Sequence, residues 1–210
     1  MIRVLVVDDH AVVREGLKRV IAEAAGMTVG GEAADGPEAL RLVMSEPWDA
    51  VVLDVTMPGR SGLDVLKEIR RQQPHLPVLI LSMHGEEQYA IRALKAGAAG
   101  YMTKESASDQ LVAAIRRVAG GRRHISPSLA EQLAVDIGRD TDQPLHAALS
   151  DREHEVLCLI GSGHTLSEIA RRLSVSVKTV STYRARMLDK MSMHNNAQLT
   201  HYAIRSGLVD

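Results

Sequence analysis

Short runs of apolar residues alternate with helical patterns along the first part of the chain. The runs at 4–7, 50–53 and 78–81 are apolar at every position, which is typical of parallel strands buried on both faces. Weaker candidate strands lie at 28–32 and 98–102. Between the strands, apolar residues spaced by three and four predict five helices, at 12–24, 37–44, 62–71, 88–96 and 108–118.

Five successive strand–helix units predict an α/β domain over residues 1–120. Right-handed crossovers place helices on both faces of a parallel sheet, and the flavodoxin-like strand order 2-1-3-4-5 is the natural arrangement. In such a sheet, ligands bind beside the carboxyl ends of the strands. We therefore expect functional side chains at the residues that end each strand.

The rest of the chain predicts only helices. Residues 121–147 form a predicted linker, with one helix from Ser126 to about position 137 and a polar, turn-rich stretch at 138–143. Residues 148–210 form the second predicted domain, in which Ser150 and Thr165 each begin a capping-box pattern. Its predicted helices lie at 151–161, 166–173, 177–191 and 195–206.

The second and third helices of this domain are joined by a tight turn, which predicts a helix-turn-helix unit. Within 171–190 every charged residue except Asp189 is basic, so we expect a polyanion to bind there. The last helix carries Leu199, Tyr202 and Ala203 on one face. One role that this face suits is to close the helical bundle.

Composition places few limits on function. The chain has 210 residues, a net charge of -1 and 45% hydrophobic residues, which fit an ordinary soluble globular protein with no whole-chain attraction to nucleic acid or membrane. The single cysteine, Cys158, excludes an internal disulfide, and its apolar neighbours predict burial. No apolar run approaches the roughly 20 residues of a membrane helix, and the start resembles no signal peptide. The sequence therefore predicts a cytoplasmic protein.

Polar side chains follow four of the five predicted strands. Asp8 and Asp9 follow the first strand, and Asp54 ends the third. Neighbouring strands lie about 4.8 Å apart, so three carboxylates should crowd together and repel one another. Mg²⁺ would relieve this repulsion, because it prefers oxygen ligands. We predict Asp9 and Asp54 as direct ligands, Asp8 as a direct or water-mediated ligand, and the backbone carbonyl of Thr56 as a further ligand.

The neighbouring strand ends supply groups that suit a phosphoryl group. Ser82 can donate a hydrogen bond to one phosphoryl oxygen, and Lys104 can pair with another. One of the carboxylates is then the predicted phosphoryl acceptor. Taken singly, each residue is more often a helix cap, a turn residue or a solvated lysine. Their joint occurrence along one sheet edge favours a functional site.

Residues 1–120 resemble a response-regulator receiver domain. The resemblance is carried by four segments, at 6–9, 53–59, 81–84 and 100–104. It implies that a sensor histidine kinase phosphorylates Asp54 in the presence of Mg²⁺, that Ser82 and Tyr101 form a switch pair, and that Thr56 and His84 tune the lifetime of the phosphate. One departure is Glu105, because receivers generally carry a cis proline after the lysine. We expect a trans peptide here, since a cis bond before a non-proline residue costs about 2.5–4 kcal/mol.

Residues 150–206 resemble a LuxR/NarL-type DNA-binding domain, notably at 149–157, 168–173 and 176–184. The resemblance implies that the helix at 177–191 enters the major groove of double-stranded promoter DNA, and that two copies bind as a homodimer on paired half-sites. It also offers a second role for the last helix, as the dimer contact on DNA and not as the closure of the bundle. The residues implied as facing bases are Ser181, Thr182 and Ala185. Those implied for phosphates or groove edges are Lys178, Thr179, Arg184 and Lys190. The family often has lysine and histidine where Ser181 and Tyr183 stand, so base preference cannot be transferred.

The sequence thus predicts a NarL/FixJ-type response regulator that controls transcription. It is predicted not to be an enzyme, apart from phosphorylating itself from a phosphodonor and slowly losing that phosphate. Two alternatives stay open. One is a phosphorylation-controlled docking protein without a DNA target. The other is a hydrolase with an aspartyl-phosphate intermediate, against which the absence of a further substrate-binding domain argues.

Overall fold

The computed structural model describes residues 1–83, 86–127, 129–131 and 144–209. The chain divides into two compact units, Met1–Ala130 and Glu131–Asp210. His84, the turn-rich stretch at 138–143 and most of the predicted linker helix lie outside the described residues. The domain limits inferred from the sequence therefore stay predictions.

The first unit is built on a five-stranded parallel sheet. Its strand order is β2-β1-β3-β4-β5, as predicted. The strands are β1 (Ile2–Val7), β2 (Met27–Ala33), β3 (Ala50–Asp54), β4 (Val78–Ser82) and β5 (Gly100–Thr103). The structure thus confirms all five predicted strands, with ends that move by one or two residues.

Five helices connect and flank the strands. They are α1 (Ala11–Ala22), α2 (Gly36–Ser45), α3 (Gly62–Gln72), α4 (Glu86–Lys95) and α5 (Ala107–Ala119). The side chains of Asp35 and Ser61 cap α2 and α3 by accepting hydrogen bonds from backbone N–H groups of the first turn. Helices α1 and α5 contact each other, as do α2 and α3.

Both faces of the sheet are buried, because side chains alternate between them along each strand. Val6 and Leu79 belong to the core cluster that contains Ile21 of α1 and Leu111 of α5. Leu53 points to the other face of the sheet, and it is also fully buried. The sheet interior thus has little room for polar side chains, and the strand ends are where they can gather.

The chain beyond α5 stays beside the sheet. The backbone N–H of His124 donates to the carbonyl of Ala99 at 2.9 Å, and that of Tyr101 donates to the carbonyl of His124 at 3.2 Å. The side chain of Arg117 donates to the carbonyl of Arg123 at 2.7 Å. The first residues of the predicted linker are therefore attached to β5 and α5.

The second unit contains a short 3₁₀ helix, Leu145–Ala148, and four α-helices. The α-helices are α6 (Asp151–Gly161), α7 (Leu166–Arg172), α8 (Val177–Lys190) and α9 (Asn196–Arg205). Both predicted capping boxes are present: Ser150 pairs with Glu153, and Thr165 pairs with Glu168. These caps accept hydrogen bonds from backbone N–H groups of the first turn, which have no carbonyl partner within the helix.

The helices of this unit enclose one apolar core. Val156 of α6, Ile169 of α7 and Val180 of α8 meet there, and Cys158 is buried as predicted. Leu199 and Ala203 of α9 also belong to this core, and Tyr202 packs against it. The apolar face of α9 therefore closes the bundle, as one of its two predicted roles requires. A contact of α9 with a second copy of the chain stays a prediction.

Among the described residues, no helix is both long enough and apolar enough to cross a membrane.

Two serines that follow helices adopt a left-handed backbone conformation. Ser174 follows the end of α7 with φ 52°, and Ser192 follows the end of α8 with φ 54°. At both positions the next N–H bonds back into the helix: Val175 N donates to Ala170 O at 2.9 Å and Met193 N to Leu188 O at 2.8 Å. Glycine usually occupies this position, because a Cβ atom is unfavourable there. The turn of the helix-turn-helix unit therefore carries backbone strain.

We expect Ser174→Gly to raise the free energy of unfolding of the helical unit by up to about 1 kcal/mol, because glycine adopts this conformation without strain. Urea unfolding followed by circular dichroism would measure the change. Ser206→Gly is the control, since Ser206 follows α9 with φ -90° and should lose stability on the same change. A lower unfolding midpoint for Ser174→Gly would contradict the assignment of strain.

Candidate functional site

The structure brings the three predicted carboxylates together. Asp8 and Asp9 follow β1 and Asp54 ends β3, and Asp8 and Asp54 are almost completely buried. One potential ligand atom from each of Asp8, Asp9, His10 and Asp54 lies within 4.8 Å of all the others. This is the only group of three or more such residues found in the described parts of the chain.

Lys104 lies between two of these carboxylates. Its Nζ is 2.7 Å from Asp8 Oδ2 and 2.9 Å from Asp54 Oδ2. The loop that carries it is anchored to the next strand, because the N–H of Lys104 donates to the carbonyl of Ser82 at 2.7 Å. No peptide bond among the described residues is cis, so Glu105 follows a trans bond, as expected.

The environment changes the pKa of both members of this pair. Burial raises the pKa of Asp54 from 3.8 to about 6, and the charge of Asp8 adds to the rise, while Lys104 and the backbone N–H of Thr56 oppose it. Burial acts to lower the pKa of Lys104, but the charges and hydrogen bonds of Asp54 and Asp8 outweigh it, so that pKa is raised. Lys104 therefore stays charged, and Asp54 is largely ionised near pH 7.

The backbone around Asp54 is tightly held. The N–H of Thr56 donates to Asp54 Oδ1 at 3.2 Å. The N–H of Gly62, at the start of α3, donates to the carbonyl of Val55 at 2.8 Å. A Cβ atom on Gly62 would lie 2.0 Å from the carbonyl oxygen of Asp54. Only glycine fits there, so the start of α3 fixes the position of Asp54.

Ser82 and Tyr101 lie on the two strands beyond Asp54. Ser82 ends β4 and is fully buried, and Tyr101 belongs to β5 and is 1% exposed. In the register of the sheet, Asp54 is opposite Leu81 and Ser82 is opposite Thr103. Ser82 is thus placed at the same sheet edge as the carboxylates. The Tyr101 side chain is buried, and its role as a switch residue stays a prediction.

The residues present fit Mg²⁺. The three carboxylates offer hard oxygen ligands within the reach of one ion. Lys104 pairs with both buried carboxylates, and one ammonium group cannot neutralise two ionised carboxylates. A divalent cation would remove the remaining repulsion between them.

The second unit presents a polar face on α8. Lys178, Ser181, Thr182 and Ala185 are all exposed. Their spacing of three and four residues places them on one side of the helix. Arg186, which the sequence reasoning left out of the contact set, is also exposed.

The other three predicted DNA contacts have partners within the protein. The Thr179 and Ser176 hydroxyls lie 2.8 Å apart at the start of α8. The guanidinium of Arg184 donates to the side chain of Asn196 in α9. Lys190 Nζ donates to Glu153 Oε2 at 2.6 Å. The last two pairs connect α8 to its neighbours, so Arg184 and Lys190 hold the helix in place.

Two family models match the chain. The response regulator receiver domain matches residues 4–116, and the luxR family of bacterial regulatory proteins matches residues 147–203. Together they cover most of the sequence, in the predicted order.

This chain belongs to the response regulators with a LuxR-type output domain.

Relatives match over the full length of this response regulator. It is 38% identical to the response regulator UvrY of Escherichia coli K12, over 99% of this chain and 96% of that protein. It is 40% identical to the response regulator GacA of Pseudomonas aeruginosa, over 100% and 99% of the two chains. These matches identify a phosphorylation-regulated transcription regulator of the NarL/FixJ type.

A solved structure supports the same assignment. RcsB from Salmonella enterica serovar Typhimurium, bound to promoter rprA in the presence of the phosphomimetic BeF₃⁻, has a TM-score of 0.64 and 26% identity, and covers 96% of this chain and 98% of RcsB. The receiver of our response regulator implies a kinase partner, and its LuxR-type domain is a DNA-binding domain. The family consists of DNA-binding regulators and not of enzymes that turn over external substrates.

The structure also reveals residues that the sequence reasoning did not select. His10 joins the carboxylate cluster, and its position directly after Asp8-Asp9 was the available signal. Gly62 restricts the space around Asp54, but a single glycine at the start of a helix gives no sign of such an approach. Glu153 and Asn196 anchor α8 from two other helices, and these pairings are tertiary contacts with no local pattern.

The pKa of Asp54 predicts how stability depends on pH in metal-free buffer. The pKa of Asp54 is 3.8 for an unperturbed carboxyl and about 6 in the folded protein. At pH values between these two, the folded state binds more protons than the unfolded chain. The contribution of Asp54 to the free energy of unfolding therefore falls as pH rises through this window.

We expect Asp54→Asn to raise the free energy of unfolding at about pH 7.5 by about 1–3 kcal/mol, because no ionised group is then buried at this position. The gain should shrink at about pH 5, where wild type carries the proton. Urea unfolding followed by Trp48 fluorescence measures the receiver. Asp49→Asn, at the opposite end of β3, should show no pH-dependent gain, and an Asp54→Asn gain that is equal at both pH values would contradict the assignment.

Proposed function

We propose that Asp54 accepts a phosphoryl group from a sensor histidine kinase, with Mg²⁺ bound, and that this modification shifts the DNA binding and dimerisation of the C-terminal domain. The observation that carries the proposal is the buried carboxylate of Asp54, held by Lys104 beside a second buried carboxylate. The site would operate in the cytoplasm, where the chromosomal DNA partner of a bacterial regulator resides.

The side chains divide the work of phosphoryl transfer. Asp8, Asp9 and Asp54, with the backbone carbonyl of Thr56, would hold Mg²⁺. The ion supplies charge neutralisation at the phosphoryl oxygens. An ionised oxygen of Asp54 attacks phosphorus while the bond from phosphorus to the donor breaks. A pKa of about 6 supports this role, because it leaves most Asp54 ionised near neutral pH.

Lys104 and Ser82 would bind the oxygens of the phosphoryl group after its transfer to Asp54. Lys104 already lies 2.9 Å from Asp54 Oδ2, so it needs little movement to pair with a phosphoryl oxygen. Ser82 would donate a hydrogen bond to a second oxygen, with Tyr101 as its partner in the switch. The phosphoryl group adds nearly two negative charges to a buried edge, and we propose that this charge biases an existing conformational equilibrium.

The chain should modify itself once in each cycle and then lose the phosphate slowly. We expect incubation with Mg²⁺ and acetyl phosphate or phosphoramidate to add one phosphate to the intact mass of wild type. Asp54→Ala should gain none, because the acceptor is absent. Asp49→Ala, which changes the residue directly before β3 at the opposite end of that strand, should gain phosphate like wild type. An unchanged gain in Asp54→Ala would remove Asp54 as the acceptor.

In the second unit, α8 is proposed as the helix that enters the major groove. The face formed by Lys178, Ser181, Thr182 and Ala185 supports this role, because all four residues are exposed. Thr179 would contact the DNA backbone at the start of the helix. Ser181 and Thr182 carry hydroxyl groups, which discriminate bases less strongly than bidentate side chains do.

The structure supports a revised ranking of the basic residues. Lys178 is exposed at the start of α8, whereas Arg184 and Lys190 are engaged with Asn196 and Glu153. Burial acts to raise the pKa of Glu153, but Lys190 and the Ser150 backbone outweigh it, so that pKa is lowered and the ion pair persists near neutral pH. Lys178 is therefore the stronger candidate for a phosphate contact. Lys190 would act on DNA only after leaving Glu153.

We expect Lys178→Ala to weaken binding to all DNA sequences and to reduce the slope of log affinity against log salt by about 1, because one phosphate contact is lost. Lys190→Ala, on the same helix, should lower the thermal stability of the helical unit and change the salt slope less. Fluorescence anisotropy of labelled duplexes across a salt series measures the slopes. An unaltered slope for Lys178→Ala would exclude it as a phosphate contact.

A further inference from the structure

We infer that His10 is an additional metal ligand of the carboxylate cluster, so that this site binds nitrogen-preferring divalent ions as well as Mg²⁺. The inference rests on the proposed metal site and extends it by one residue. Its ligand class is a first-row transition ion with octahedral coordination. Ni²⁺ serves as the nitrogen-preferring probe, and Mn²⁺ serves as a paramagnetic reporter of which atoms bind the ion.

The position of the imidazole carries the inference. His10 Nδ1 lies 3.0 Å from Asp9 Oδ1 and 3.4 Å from Asp8 Oδ1. The side chain of His10 is 63% exposed, so its ring has free space on the solvent side, yet Nδ1 faces the carboxylates. Potential ligand atoms of Asp8, Asp9, His10 and Asp54 all lie within 4.8 Å of one another.

These distances match those between neighbouring ligands of one ion. Metal–ligand bonds of about 2.1 Å at right angles place adjacent ligand atoms about 3 Å apart. The separation of 3.0 Å between His10 Nδ1 and Asp9 Oδ1 meets this requirement. The separation of 3.4 Å from Asp8 Oδ1 needs only a small adjustment, which an exposed side chain can make.

The local backbone keeps His10 in this position. His10 is the N-cap residue of α1, but its side chain forms no capping hydrogen bond to the helix. Its N–H donates to Asp8 Oδ1 at 2.8 Å, and the guanidinium of Arg14 donates to the carbonyl of Asp8 at 2.7 Å. The backbone is thus fixed beside the cluster, while the imidazole remains available to bind a metal ion.

Donor chemistry determines which ions would gain from His10. Mg²⁺ prefers oxygen and takes little benefit from an imidazole. Ni²⁺ and other late first-row ions bind imidazole nitrogen strongly. The alternative is that His10 only donates a hydrogen bond to Asp9. In that case its removal would affect oxygen-preferring and nitrogen-preferring ions alike, and the two readings give different results.

The test compares ions on the full-length protein. Calorimetric titration with Ni²⁺ should show that His10→Ala weakens binding by about tenfold or more, and titration with Mg²⁺ should show a change below about threefold. His75→Ala is the matched control, because His75 is an exposed histidine of the same unit and should leave both affinities unchanged. Asp9→Ala should weaken both ions.

A spectroscopic measurement tests the same bond without depending on the stability of a variant. Pulsed electron paramagnetic resonance of Mn²⁺ bound to wild type should show coupling to an imidazole nitrogen, and His10→Ala should lack it. Absence of that coupling in wild type would overturn the inference. So would an unchanged Ni²⁺ affinity in His10→Ala, or undiminished Ni²⁺ binding in Asp9→Ala, which would place the ion elsewhere. Failure of wild type to bind Mg²⁺ would instead contradict the proposed phosphorylation site.

Discussion

The receiver depends on one electrostatic constraint, the burial of two carboxylates at neighbouring strand ends. Asp8 and Asp54 would repel each other strongly without a cation, and Lys104 supplies one between them. The compensation is incomplete, since the pKa of Asp54 remains raised to about 6. Such an arrangement lowers the free energy of unfolding, because buried charges carry a desolvation penalty. Under the proposed function, this incomplete balance would make the sheet edge responsive to a metal ion and to a phosphoryl group.

In the helical unit, an ion pair and a hydrogen bond of basic side chains fix the position of α8 and leave one of its faces exposed. Glu153 of α6 and Asn196 of α9 hold two basic side chains of α8. The apolar face of α9 closes the same bundle. These contacts orient the α8 face that carries Lys178 without covering it. A rigidly oriented face can meet a groove with little further ordering, which lowers the entropic cost of binding.

Much of the site could be predicted because parallel sheets impose it. Once the strands ending near Asp8, Asp54 and Ser82 were recognised, the common edge followed from topology. Contacts between segments distant in sequence were harder to predict. The approach of Gly62 to the Asp54 carbonyl depends on where α3 begins relative to β3. The engagement of Lys190 with Glu153 depends on helix packing, so basic residues that look equivalent in sequence differ in their availability.

Local patterns in the sequence determined the strands, the helices, both capping boxes and the family, because hydrophobic periodicity and side-chain caps act over a few residues. Tertiary structure decided which charges pair, and therefore which pKa values shift. It also decided that α9 turns its apolar face inward and that His10 faces Asp9. The physical reason is that burial and charge pairing depend on distances between distant segments, and only the packed chain sets those distances.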